Sequence, residues 1–170
     1  ELAITVDGRY RLWLNGEPVG RGPTRASPHF QRYDHYAVAL NPGVNHIAVL
    51  IHVPGVDLAW YETVKGGWQP VFGDGGLYVE IVTGGAPARI DWRMMETPAW
   101  RRDTVRSGWG QDFIEDFDAR LLDPAWIRAE FDDADWPAAR DMVSIGSGDE
   151  IARGFGRVEP FPALLRSEIP

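Results

Sequence analysis

A long aromatic segment between residues 54 and 76 carries the side chains best suited to chemistry in this 170-residue chain. Pyranose rings stack their C–H faces on aromatic rings, while charged side chains take their hydroxyls. Loops of this length are usually functional or act as structured covers. The segment therefore predicts a carbohydrate-binding site with the residues Trp60, Tyr61, Trp68 and Asp57, His52 at its base and Glu62 nearby. The alternative, in which these aromatic side chains only cover the apolar face of a strand pair, stays open.

A cluster of carboxylates lies further along the chain, at Glu115, Asp116 and Asp118. Cleavage of a glycosidic bond needs two carboxyl groups roughly 5–10 Å apart, one of them with a raised pKa. On a strand, Asp116 and Asp118 would share a face about 6.6 Å apart. With 25 acidic residues in the chain, however, such a spacing is expected by chance. Arg120 could pair with one carboxylate and lower its pKa. We predict that these groups are structural or solvated, and that this chain holds no catalytic residue.

The histidines predict no metal centre and no cofactor. His46 and His52 would lie about 20 Å apart on one strand. His35 and His52 would be diagonal neighbours across a strand pair, but Asp57 is the one further candidate ligand, and a zinc site needs three or more. The acidic run at 132–135 offers oxygen ligands for calcium, although it is better interpreted as the cap of a turn. The GDGG sequence at 73–76 has no phosphate-loop lysine and is interpreted as a turn.

Composition limits the class of protein. With 44% hydrophobic residues the chain can bury a core. Its net charge of -8 argues against a nucleic-acid surface. Cysteine is absent, which excludes disulfides and thiolate chemistry. No apolar run approaches the roughly 18 residues of a membrane span. The chain starts at Glu1 inside an apparent strand, so upstream sequence is expected, and secreted, periplasmic and cytoplasmic locations stay open. Its 16 arginines, against the single Lys65, could each clamp a carboxylate or a sugar hydroxyl.

Alternation of apolar and polar residues predicts strands in the first third. The inward positions are Leu2, Ile4, Val6, Tyr10, Leu12 and Leu14, with Arg9, Arg11 and Trp13 on the opposite face of the second strand. Asp7-Gly8 and Asn15-Gly16 are typical two-residue hairpin turns. Residues 21–31 hold two prolines and no periodicity, which predicts a loop.

The segment 32–53 predicts a hairpin whose register follows from its hydrophobic pattern. With 41–44 as the loop, Leu40 lies opposite Asn45 and Val38 opposite Ile47. The core face then carries Tyr36, Val38, Leu40, Ile47, Val49 and Ile51. The other face is still too apolar to be fully exposed, so another part of the chain should partly cover it.

The second half predicts fewer regular elements. A strand should present Leu77, Val79 and Ile81 to the core, turn at Gly84-Gly85 and pair back through residues 88–93. Asp123 and Pro124 predict the start of one short helix at 124–130. The aromatic side chains expected to anchor a strap on the sandwich are Trp126, Phe131 and Trp136. We expect an all-β antiparallel sandwich or jelly roll over residues 1–160, followed by an exit linker at 161–170.

Several motifs carry a resemblance to a known family. RYRLWLNGEPVG (9–20) and YDHYAVALNPGVNHIAVLIHV (33–53) are similar to the jelly-roll, galactose-binding-like domains of large glycoside hydrolases. IHVPGVDLAWY, QDFIEDFDARL, AEFDDADWPAA and LLRSEIP resemble, in this order, segments of bacterial α-L-rhamnosidase-like proteins. The chain departs from that pattern at Val53, where a second histidine is common, and at Pro54, which replaces an aromatic residue.

The resemblance implies an N-terminal, non-catalytic β-sandwich of a glycoside hydrolase whose cleaving carboxylates lie in a downstream (α/α) barrel. Its expected role is to scaffold that catalytic domain, and carbohydrate is a further candidate partner. We expect it to bind neither nucleic acid nor a membrane. Two alternatives stay open. One is a free-standing carbohydrate-binding module. The other is the sandwich domain of a β-galactosidase-like enzyme, which lends side chains to an active site.

Overall fold

The computed structural model describes residues 1–24, 31–53, 76–105, 107, 113–140 and 164–167. Eight strands in this part of the chain form two sheets around one hydrophobic core. They are β1 (Leu2–Val6), β2 (Arg9–Leu14), β3 (Glu17–Gly22), β4 (Gln31–Tyr36), β5 (Ile47–His52), β6 (Leu77–Thr83), β7 (Ala86–Pro87) and β8 (Leu164–Arg166). The larger sheet has the order β7-β6-β1-β4-β8 and the smaller sheet the order β3-β2-β5. The predicted all-β sandwich is confirmed.

The core lies between the two sheets because alternate side chains of their central strands point inward. From the larger sheet, Leu2 and Ile4 are fully buried, and Ile81 is nearly so. From the smaller sheet, Tyr10 and Leu12 complete the cluster. The inward faces predicted for the first two strands are therefore correct, and Arg9 and Arg11 point outward and are exposed as predicted.

The Asp7-Gly8 turn connects the two sheets and does not close a hairpin. β1 pairs with β4 and β6, whereas β2 pairs with β3 and β5. At Gly8, an added Cβ would lie 2.4 Å from the backbone oxygen of His52, so the corner is packed directly on the end of β5. The hairpin predicted at this turn is wrong, because both strands have other neighbours to pair with.

The Asn15-Gly16 hairpin is confirmed and joins β2 to β3. Both residues have positive φ, 52° and 87°, as a two-residue hairpin turn requires. Leu14 pairs with Glu17 and Trp13 with Pro18, but Leu12 pairs with Gly20. Val19 is thus an extra residue, a β-bulge. Arg21 and Gly22, predicted to lie in a loop, continue β3 beyond it.

The hairpin predicted for residues 32–53 is wrong. β4 lies in the larger sheet, between β1 and β8, and β5 lies in the smaller sheet beside β2. The chain between them crosses from one sheet to the other through a loop that Asn45 holds together. The Asn45 side chain accepts from the backbone N–H of Asn41 at 2.9 Å and donates to its carbonyl at 2.9 Å.

The core face predicted for this segment is nevertheless correct. Its six apolar side chains all pack against the buried cluster, although from opposite sheets: Tyr36, Val38, Leu40, Ile47, Val49 and Ile51. On the other face of β5, Ala48 is buried. The expected cover of that face is therefore present at Ala48, and residues 124–127 contact β5.

The rest of the chain contains short elements. The Gly84-Gly85 turn joins β6 to β7, which is only two residues long. Pairing of 88–93 with β6 does not extend beyond one hydrogen bond, from the Ala88 N–H to the Ile81 carbonyl, and Arg93 instead bridges to Ala138. The helix predicted at 124–130 is a 3-10 turn over Pro124–Ile127, and a second 3-10 turn covers Ala119–Leu121.

The end of the described chain returns to the larger sheet. Leu164–Arg166 forms β8 and pairs in parallel with β4, and the Ser167 N–H donates to the Tyr33 carbonyl at 2.8 Å. This part of the segment expected to be an exit linker is therefore a strand of the sandwich. The boundary at residue 160 stays a prediction.

Candidate functional site

Most of the predicted carbohydrate site lies outside the described residues, namely Trp60, Tyr61, Trp68 and Asp57, together with Glu62. His52 is described. It is exposed at the end of β5, opposite Arg9 on β2. His52 is thus accessible on the outer face of the smaller sheet, the face that points away from the core.

Other side chains on this outer face form a candidate binding surface. Arg11 on β2 pairs with Arg21 on β3, so both side chains project from the same face of the sheet. Trp13 follows two residues along β2, on the same side, and packs against Trp126 with ring centroids 5.3 Å apart at 74°. We call these four residues the arginine–tryptophan face. Cationic and aromatic groups side by side offer both polar contacts and a stacking surface.

Local structure holds Trp126 in this position. The Asp123 side chain accepts a hydrogen bond from the Ala125 N–H at 2.8 Å and so caps the 3-10 turn. His46 directly precedes β5, and its Nε2 atom lies 2.9 Å from the Trp126 carbonyl oxygen. The predicted anchor role of Trp126 is confirmed, and the capping role of Asp123 is correct although the helix is shorter.

The arginine–tryptophan face borders an open concavity of about 4010 Å³. Typical pockets for small ligands measure roughly 300–1,000 Å³, so this concavity is an open surface and not a cage for one sugar ring. Arg11, Trp13, Arg21 and Trp126 all line it.

A buried polar cluster joins the two sheets behind this face. Tyr10 of β2 donates through its hydroxyl to Asp34 Oδ2 of β4 at 2.5 Å. The Tyr36 hydroxyl lies 3.0 Å from that of Tyr10 and must donate to it, because the Tyr10 proton is already used. Gly22 of β3 packs directly on the cluster, since an added Cβ would lie 2.1 Å from Asp34 Oδ2.

Burial raises the pKa of Asp34, against hydrogen bonds from Tyr10 and Ser167 and the nearby His35, which lower it. Burial, followed by the hydrogen bond with Asp34, also raises the pKa of the Tyr10 hydroxyl. A buried carboxyl with a raised pKa is a feature of general acids. The side chains that hydrogen-bond to Asp34 in the described ranges are those of Tyr10 and Ser167, so both contacts come from hydroxyl groups. We interpret it as an inter-sheet connection.

The carboxylates at 115–118 are engaged in surface contacts. Asp118 forms an ion pair with Arg120 at 2.6 Å, and this hydrogen bond lowers the pKa of Asp118. Asp116 lies 3.5 Å from the guanidinium of Arg101. Glu115 accepts a hydrogen bond from the indole N–H of Trp100 at 2.8 Å. The prediction that Arg120 would lower the pKa of a neighbouring carboxylate is confirmed.

The histidines are separated. His35 lies on β4 and contacts Arg166 of β8, while His52 lies in the other sheet, so their predicted diagonal contact is wrong. In the described ranges no group of three or more His, Cys, Asp or Glu side chains is placed to hold a metal ion. Asp132 accepts from the Ala134 N–H at 3.0 Å, as the turn-capping interpretation predicts. Across the same ranges, no helix has the length and apolar character of a membrane span.

An exposed apolar surface lies on the segment 94–121. Its exposed large side chains among the described residues are Met94, Met95, Val105, Phe113, Ile114, Phe117 and Leu121. The segment is held by ring packing of Trp100 on Phe117, with centroids 4.3 Å apart, and by backbone pairing of the same two residues. Large apolar side chains exposed along one segment suit contact with another apolar surface.

Neither the protein-family models nor the curated proteins gave a match to the chain. Two solved structures are similar to it. One is a GH78 family rhamnosidase of Bacillus sp. GL1, 34% identical with a TM-score of 0.76, matching 99% of this chain and 16% of that chain. The other is a Streptomyces avermitilis α-L-rhamnosidase complexed with L-rhamnose, 26% identical with a TM-score of 0.56, matching 82% of this chain and 14% of that chain. The chain is similar to a domain of a GH78 α-L-rhamnosidase.

The resemblance predicted from the motifs is thus confirmed, over nearly the whole chain in the first comparison. The rhamnosidase-like domain spans less than a fifth of either relative. Sequence reasoning placed Arg11 on the outer face but missed Arg21 and the cluster around Asp34. The signal for Asp34 was present, because a carboxylate at an inward position of an apolar strand needs buried partners. Arg21 gave no such signal, since its position depends on the bulge at Val19.

Proposed function

We propose that this chain is a non-catalytic domain of an α-L-rhamnosidase-like glycoside hydrolase and that it supports the catalytic part of that enzyme. The similarity of nearly the whole chain to a small part of a rhamnosidase is the observation that carries the proposal. The pairing of Asp116 and Asp118 with arginines adds to it. A general acid needs a raised pKa, and the pKa of Asp118 is lowered instead.

An assay of aryl rhamnoside hydrolysis tests the non-catalytic role. The purified chain is incubated with nitrophenyl α-L-rhamnoside beside a full-length α-L-rhamnosidase at equal molar concentration. We expect nitrophenol release no faster than in buffer. Turnover by the chain alone, abolished when Asp34 is replaced by Asn, would contradict the proposal and assign catalysis to the buried cluster.

The supporting role rests on the exposed apolar surface at 94–121. We propose that the rest of the parent polypeptide covers this surface, because a relative with the same domain continues over a much longer chain. Ile114→Ser combined with Leu121→Ser should leave the Tm of the isolated chain unchanged, since both side chains are exposed in it. The same substitutions in the full-length parent should lower its Tm.

Val44→Ser is the matched control for this experiment, because Val44 is 90% exposed on the loop between β4 and β5 and lies outside the segment 94–121. It should change neither Tm. An unchanged Tm of the parent carrying the paired substitutions would show that this surface is not covered by the enzyme.

A second proposed function is carbohydrate binding, and the arginine–tryptophan face favours it. The indole of Trp13 lies beside two guanidinium groups on an open, concave surface. Titration of the chain with L-rhamnose and with plant oligosaccharides, followed by tryptophan fluorescence, tests this function. We expect a saturable change at millimolar concentrations that is weakened by Trp126→Ala. A flat titration with every saccharide would contradict it.

A further inference from the structure

The positive charge of Arg11 and Arg21 is not neutralised in the described part of the chain. The two residues are direct cross-strand partners, and both are exposed. Among the described residues, no carboxylate forms an ion pair with either guanidinium, in contrast to Arg89, Arg101 and Arg120. Like charges directly opposite each other on a sheet are unfavourable. The pairing of these two arginines therefore lowers the stability of the sheet locally, although the chain as a whole has a net charge of -8.

The geometry of this pair suits one planar anion. Neighbouring side chains on adjacent antiparallel strands have Cβ atoms about 5 Å apart. Two guanidinium groups at that spacing can share a carboxylate, each donating charge-assisted hydrogen bonds to it. Trp13 lies about 6.6 Å further along β2, on the same side, and its contact with Trp126 fixes the indole in place. A sugar ring attached to the carboxylate would reach this indole.

We propose that the arginine–tryptophan face binds an acidic saccharide, in which the uronate carboxylate lies between Arg11 and Arg21 and a neighbouring sugar ring packs on Trp13. This inference rests on the carbohydrate binding proposed above and names its ligand class. Both guanidinium groups are exposed, so a saccharide of several units has access to them.

The experiment compares one saccharide with and without its charge. An oligogalacturonate and its methyl ester of equal length are titrated into the full chain at low salt by isothermal calorimetry. We expect the acid form to bind and the ester to bind more weakly. The double variant Arg11→Gln/Arg21→Gln should weaken the acid form about 10- to 100-fold and leave the ester unchanged.

A matched variant removes the same charge elsewhere. Arg89 and Arg102 are also exposed, but each already pairs with a carboxylate, Asp91 at 2.7 Å and Glu96 at 2.8 Å. Arg89→Gln/Arg102→Gln should retain binding of the acid form. An equal loss in both double variants would show a general charge effect and overturn the inference. Circular dichroism of the variants checks that each remains folded.

Three further outcomes separate this inference from the proposed function. Equal binding of acid and ester would overturn the inference and leave carbohydrate binding standing. No binding of either saccharide would overturn both. Binding of poly-glutamate as tight as that of the oligogalacturonate would overturn the choice of a saccharide, because a polypeptide carboxylate would then serve equally well.

Discussion

The hydrogen bond between Tyr10 and Asp34 should be among the strongest single side-chain contributions to stability in the described sandwich. Tyr10 is 3% exposed, and its hydroxyl lies 2.5 Å from Asp34 Oδ2, so the bond links the two sheets away from water. Hydrogen bonds to a charged partner contribute about 1.5–3 kcal/mol. Tyr10→Phe removes this bond, together with the 3.0 Å contact between the Tyr10 and Tyr36 hydroxyls, and leaves the ring in place. We expect a loss of about 2 kcal/mol at pH 7, because Asp34 keeps its hydrogen bond with Ser167.

Tyr78→Phe is the matched control. The Tyr78 hydroxyl also donates to a carboxylate, that of Glu80 at 2.6 Å, and this contact raises the pKa of Tyr78 to about 12. That pair is exposed on β6, and exposed polar pairs contribute little. We expect a change below about 0.5 kcal/mol. Both variants thus remove a hydroxyl group that donates to a carboxylate. They differ in the burial of that hydroxyl and in the additional contact of Tyr10 with Tyr36.

Urea unfolding at pH 7, followed by tryptophan fluorescence, measures both variants. For a domain of this size, 1 kcal/mol corresponds to a shift in Tm of about 2–4 °C, so Tyr10→Phe should also lower the Tm by roughly 4–8 °C. A double-mutant cycle with Asp34→Asn should show coupling above about 1 kcal/mol. If Tyr10→Phe costs no more than Tyr78→Phe, the inter-sheet bond does not contribute as its burial indicates.

Three further predictions concern the same region. The pKa of Asp34 is raised above its ordinary 3.8, so the folded state holds this proton more tightly than the unfolded state does. The stabilisation that comes from this tighter proton binding is full below pH 3.8 and is lost as pH rises through the raised pKa. Asp34→Asn should remove this pH dependence in urea titrations at pH 4 and pH 7. Gly22→Ala should lower the free energy of unfolding by about 2–4 kcal/mol, because the added Cβ would lie 2.1 Å from Asp34 Oδ2. Gly84→Ala is the control. Its added Cβ meets no atom within 4 Å, so it should lower the free energy of unfolding by only about 1–2 kcal/mol, from the positive φ of this residue. Arg21→Gln should raise stability by up to about 1 kcal/mol by removing repulsion from Arg11, and an unchanged or lower unfolding midpoint would argue against that repulsion.

The faces of the strands could be predicted from the sequence, because alternation is a local property of extended chain. Val38 and Val49, for example, pack against the core, as the alternation of apolar and polar residues around them predicts. The partner of each strand could not be predicted, because an inward-facing strand is equally satisfied in either sheet of a sandwich. β5 pairs with β2, while β4 pairs with β1 and β8, so the nearest strands in sequence do not form a hairpin.

The candidate site depends on a feature that periodicity does not reveal. Without the bulge at Val19, the register of β2 and β3 would place Gly20 opposite Arg11 and turn Arg21 towards the core. The extra residue moves Arg21 to the outer face, opposite Arg11, and Gly22 onto the buried cluster. A bulge adds one residue to one strand of a pair, and the residues of β3 alone do not show where that extra residue lies. The paired arginines therefore become visible only in the folded chain.

The parallel pairing of β4 with β8 has a consequence for folding during synthesis. Gln31 pairs with Leu164, so the outer edge of β4 gains its neighbour only after some 130 further residues have left the ribosome. Until then β4 presents unpaired backbone groups, which other extended chains can bind. Chaperone dependence and aggregation of nascent chains truncated before residue 164 would follow from this late strand.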